Sequence, residues 1–161
     1  MLASLTSLAV TAALQASPAP APAGACEAAL VAYSRWAEGW KFAAIVDAGP
    51  ARRTWPDEAQ MRLGWSDVAP SAAAVRAFKA APTASILVCP AVEAAARKDR
   101  RAILTAAEAA APENRPESGV NRLSLPVLSP DGREAIVEIV HTGQRHGGLQ
   151  QFVLLRKTAK G

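Results

Sequence analysis

The chain has 161 residues and a formal net charge of +4, a length that suits one domain and leaves little room for two. Half of it is hydrophobic, yet 38 of the 81 apolar residues are alanine and Leu, Ile, Val and Phe together make 34, which supports a small core and argues against a large enclosed cavity. Two cysteines exclude a disulfide-dense mini-protein, and the apolar pattern fits neither a coiled coil nor a polytopic membrane protein.

Residues 1–25 carry no charged side chain. Leu2, Leu5, Leu8, Val10 and Leu14 stand among Ala, Ser and Thr in an apolar stretch of signal-peptide length, too short for the ~30 Å hydrocarbon layer of a bilayer. Pro18, Pro20 and Pro22 stop any helix and leave the segment extended. Small residues at Ala21 and Ala23, or at Ala23 and Ala25, match a signal peptidase's small-x-small preference. The expectation is a signal peptide with an Ala/Pro-rich segment over residues 1–25, and a mature chain that is periplasmic or secreted. No Lys or Arg follows Met1, a departure that a start codon placed a few residues too late would explain; a disordered Ala/Pro tail is the alternative.

Cys26 follows Ala23-Gly24-Ala25, as at a lipoprotein attachment site, but the prolines separate it from the apolar segment. Pairing with Cys89, the only other cysteine, is the expectation in an oxidising compartment. Two independent buried thiols are the alternative.

In residues 27–47, Ala29, Tyr33, Trp36, Trp40 and Ala43 recur at three- and four-residue steps, predicting one helix that ends at Gly49-Pro50. Thr54 is the expected N-cap of a short second helix over residues 55–63, with Asp57 and Glu58 in its first turn. Ser71 is the expected N-cap of a helix over residues 72–80. Residues 85–89 form a short apolar run that reads as a buried strand, and Pro90 opens a long alanine-rich helix to residue 110.

Beyond the break at residues 111–116 the texture changes to strand. Residues 120–128 lead into Ser129-Pro130-Asp131-Gly132, a turn with proline second and glycine fourth. Residues 135–141 and 149–157 read as two further strands around a glycine loop, and Pro126 predicts an edge position or a bulge in the first strand. The chain stops at residues 158–161, which reads as the turn into a fourth strand. The expected fold class is α+β, a single domain over residues 26–161, with N-terminal helices (26–111) packed on a C-terminal antiparallel β-meander (117–161). Its core is expected from Trp36, Trp40, Ile136, Ile139, Phe152 and Leu154.

Pro116, Ser118, Gly119, Leu123-Ser124, Pro126-Val127, Ser129, Asp131-Gly132, Ala135, Val137, Gly147-Gly148 and Leu154-Leu155-Arg156-Lys157 form a pattern over about 45 residues. It resembles the C-terminal hairpin-rich domain of a group of uncharacterised exported bacterial proteins, although their closing tryptophan-bearing G-x-W strand is absent here. The resemblance implies a fold and a compartment. It implies no catalytic residue and no activity.

Chemistry-bearing residues are few. His141 and His146 stand at a strand end and in the adjoining loop, where Cys89 or Glu138 could join them, but two imidazoles without a third fixed ligand are a weak metal signal. The sequence lacks a G-x-S-x-G, a Walker A and a dinucleotide fingerprint, and Cys89 sits in an apolar run that does not activate a thiol. The expectation is therefore no catalytic residue, no metal and no cofactor. Arg97, Lys98, Arg100 and Arg101 are the densest basic cluster; helical spacing spreads them around the wheel, which argues against nucleic acid and leaves Arg97, Arg100 and Arg101 as candidate contacts to an anionic envelope surface. Four tryptophans serve a core sooner than a ligand groove.

The reading is a non-catalytic binding or structural module of the bacterial envelope, its partner and oligomeric state unknown. The alternatives are a small metal-dependent or hydrolytic enzyme using His141 and His146, and a basic protein that binds anionic envelope surfaces.

Overall fold

A computed structural model describes residues 21–22, 24–41, 43–50, 69–111, 113, 116–143 and 148–158. Most of the expected export signal, the helix expected over residues 55–63, and Phe42, Trp55, Trp65 and His146 lie outside the described residues.

Helix α1 spans Ala25–Gly39 and turns Ala29, Ala32, Tyr33 and Trp36 inward, the face the periodicity indicates. It ends eight residues earlier than expected. Gly39 is a poor helix former, and Ile45 and Val46 are drawn into a strand, β1 (Ala44–Val46), buried along its whole length. Helix α2 (Ala72–Ala80) begins where expected, with Ser71 Oγ accepting the Ala74 amide at 3.2 Å.

Two expectations fail between residues 85 and 110. The apolar run is a 3-10 turn, Ile86–Val88, whose start is held by the Leu87 amide donating to Ser85 Oγ; Pro90 holds Cys89 in extended backbone, which ends the turn before α3 begins. The long alanine helix is three pieces. Helix α3 (Pro90–Lys98) stops at Asp99 and Arg100, the latter in left-handed backbone at φ 55. Strand β2 (Ile103–Leu104) follows, and helix α4 (Ala106–Ala110) is restarted by a capping box between Thr105 and Glu108.

The C-terminal segments are strands β3 (Val120–Leu123), β4 (Val127–Leu128), β5 (Glu134–Thr142) and β6 (Gly148–Arg156). Strands β3 and β4 share one edge of β5 while β6 lines the other, and all three pairings are antiparallel. Leu123 pairs with Ile139 and Val127 with Ile136, so three residues around Pro126 face two on β5; the proline marks a bulge. The Leu125 amide, freed from β5, donates to Ala84 O at 2.8 Å. The turn is closed by Gly132 N–H donating to Ser129 O, and by Ser129 Oγ donating to Asp131.

The sheet is mixed, not purely antiparallel. Strand β1 lies parallel between β2 and β3, so the helical half contributes two strands. Both faces are covered. Residues 135, 137 and 139 of β5 meet Tyr33, Trp36 and Val92 from α1 and α3 in the main core. Ile136 meets Phe78 of α2 on the opposite face, with Phe152 edge-on to Phe78 at 6.2 Å. Helix α4 places Ala109 against β1 and Val120. Of the six expected core residues, Trp36, Ile136 and Ile139 are buried, while Trp40, Phe152 and Leu154 are half-buried.

Candidate functional site

Cys26, in the first turn of α1, is bonded to Cys89 immediately ahead of α3, with their Cα atoms 5.4 Å apart. The bridge fixes one helix against the other on the main core, and it removes both thiols from nucleophilic or metal chemistry. Cys89 is fully buried.

His141 lies on the same face of β5 as Val137 and Ile139, opposite Asn121 on β3. Its Nδ1 is 3.2 Å from Asn121 Oδ1, and its ring lies 4.2 Å from that of Trp40 at an interplanar angle of 32°. Gly119 completes the enclosure: a Cβ there would stand 2.6 Å from His141 Cε1 and 2.7 Å from Thr142 O. Burial lowers the imidazole's pKa. Nδ1 is thus engaged with Asn121, and Nε2 is the ring nitrogen turned towards Gly119 and Gly143. Asn121 is fully buried and its Nδ2 has no hydrogen-bond partner among the described residues. Among the described residues no three His, Cys, Asp or Glu side chains converge to hold a metal ion. His141 packs between Trp40 and Gly119.

The three arginines separate. Arg97 donates to Glu93 one turn back at 2.7 Å, an exposed i,i+4 pair. Arg100 is exposed at the left-handed turn after α3. Arg101 turns inward, donating to the carbonyl oxygens of Trp40 and, at 3.0 Å, Ala37. Beside it, Tyr33 donates to Asp99 at 2.7 Å, and these groups with Lys98 and Glu38 line an open polar hollow of about 440 Å³.

A second concavity was not anticipated. Along α1, Glu27, Ala28, Val31 and Arg35 recur at helical steps and form one wall of a groove of about 480 Å³. The other wall is Leu128, the turn after β4, and the end of β6 with Leu155, Arg156 and Lys157. Glu134 anchors this wall. Burial alone would raise its pKa, but the hydrogen bonds from the Ser71 amide and Arg156 outweigh that and hold the carboxylate below its ordinary range. The signal was present in the sequence: Leu30 and Val31 are apolar residues off the buried face of α1, and they stay exposed.

No family model, curated protein or solved structure matches this chain. Among the described residues no helix is long and apolar enough to cross a membrane.

Proposed function

We propose that the chain is an exported module of the bacterial envelope that works by binding and not by catalysis. The observation that carries this reading is the Cys26–Cys89 bridge. A structural disulfide belongs to an oxidising compartment, and Cys26 of this one follows directly on the charge-free residues 1–25 expected to be an export signal. The binding half is supported by the groove beside α1, whose volume falls within the ~300–1,000 Å³ range of small-molecule sites. Both thiols are spent in the bridge and His141 is packed between Trp40 and Gly119, so among the described residues these three candidates for catalysis are in structural use.

Intact mass of the protein recovered from its native cells, before and after reduction, tests the reading. Loss of about 25 N-terminal residues and a gain of about two mass units on reduction are expected. An uncleaved chain with free thiols overturns it.

A further inference from the structure

The walls of the groove beside α1 are partly aliphatic and partly charged. Ala28 and Val31 of one wall and Leu128 and Leu155 of the other are aliphatic, and Val31 remains 48% exposed on a helix that already buries its opposite face. Exposed aliphatic surface inside a concavity suits an apolar ligand.

Charge decides what else that ligand carries. Arg35, Arg133, Arg156 and Lys157 line the groove against Glu27 and Glu134. Glu134 is engaged by Arg156, and Arg133 leans on Asp131 at 4.0 Å. Arg35, Lys157 and Glu27 have no ion pair among the described residues, which leaves the groove one positive charge in excess and favours a singly negative head group. The α1 wall cannot pair with an extended peptide, because a helix spends its backbone groups internally. A planar, singly charged head suits the guanidinium fork and the ammonium that line opposite walls of this groove.

We propose that this groove binds a small amphiphile, an unbranched alkyl chain ending in one carboxylate. The chain lies on Ala28, Val31, Leu128 and Leu155, and the carboxylate meets Arg35 and Lys157. The proposal rests on the reading of the protein as a binding module and names its ligand class.

Calorimetric titration of the full chain with decanoate, below its micellar concentration, tests it. One saturable site is expected. Decanol should bind at least about tenfold more weakly because it forms no charge-assisted hydrogen bonds. Butyrate should also bind at least about tenfold more weakly because it buries fewer methylenes. Val31→Glu and Arg35→Glu, both at solvent-facing positions, should each weaken decanoate at least about tenfold while leaving the circular dichroism and unfolding midpoint unchanged. The proposal is overturned by no saturable binding, by decanol binding as tightly as decanoate, by unchanged affinity in both variants, or by an oligoglutamate peptide binding more tightly than decanoate. The two readings fail separately. An unprocessed, reduced chain that still binds decanoate removes the compartment alone, and a processed, oxidised chain that does not bind it removes the ligand class alone.

Discussion

The guanidinium of Arg101 lies 5.1 Å from the centre of the Trp36 ring while donating to the carbonyl oxygens of Trp40 and Ala37. Helix α1 has no basic residue in its own last turn, so its terminal carbonyls are satisfied from the loop after α3. A residue that counts as surface charge in the sequence is a clamp between two helices. Arg101→Ala should lower stability by about 2 kcal/mol, through lost charge-assisted bonds and lost stacking on Trp36. Arg101→Lys should recover only part of that, since an ammonium cannot fork across two carbonyls while stacking. Arg97→Ala, at an exposed pair, should change stability by no more than about 0.5 kcal/mol. Urea unfolding midpoints of the three variants decide this, and equal shifts for Arg97 and Arg101 would count against the clamp.

The disulfide joins residues 63 apart, which places its effect mainly on the unfolded chain. Closing a loop of that size accounts for about 4 kcal/mol by chain entropy. The Cys26→Ala, Cys89→Ala double variant should unfold at correspondingly lower denaturant, and reduction of the wild type should reproduce most of the loss. A midpoint unchanged by reduction would show the bridge to be dispensable for folding.

The elements that could be read in advance are those set by local chemistry. Ser71 caps α2 by its own hydroxyl, Pro130 and Gly132 specify their turn within four residues, and two cysteines in one chain allow a single intramolecular pairing. The errors fall where partners are distant. Residues 44–46 and 103–104 are strands because each finds the other and because β3, more than 70 residues beyond β1, completes the pairing; within the local sequence they continue an alanine-rich helical pattern. One miss was avoidable, since Thr105 followed three residues later by Glu108 is a capping-box signature and marks a helix start inside the supposed long helix. At the candidate sites, residue type indicated His141 and the arginines but not their directions. The groove is not legible in the periodicity of α1, which marks only the face the helix buries; Val31, off that face, gains its meaning from Leu128 and Leu155, about 100 residues away.

Tyr33 is the only tyrosine in the chain, so phenolate absorbance reports it alone. Burial and the hydrogen bond to Asp99, with that carboxylate's charge, raise its pKa from 10.0 to about 12, against a smaller opposing effect of Arg101. The folded state thus holds this proton more tightly than the unfolded state. The associated stability is fully present below pH 10 and is lost as pH rises from 10.0 towards about 12. Tyr33→Phe should remove that part of the alkaline decline and, near neutrality, cost about 1 kcal/mol for the lost hydrogen bond. A phenolate that appears around pH 10 in the folded protein would contradict the arrangement.

His141 carries the opposite dependence. Burial lowers its pKa below the ordinary 6.5, so the unfolded chain binds the proton more readily than the folded one. Its stability contribution is present above pH 6.5 and falls away as pH drops below that value. His141→Gln should flatten the acid side of the stability profile, and a profile of unchanged slope would remove the imidazole from the account. The same ring makes Gly119 irreplaceable. Its φ of +81° already disfavours any L side chain, and an added Cβ would meet His141 Cε1 at 2.6 Å and Thr142 O at 2.7 Å. Gly119→Ala should therefore destabilise by at least about 2 kcal/mol. Combining it with His141→Ala should cost less than the sum of the two, because the ring half of the clash is gone. The remaining backbone contact with Thr142 keeps the double variant below the His141→Ala single variant, and strict additivity would show that the glycine and the histidine do not meet.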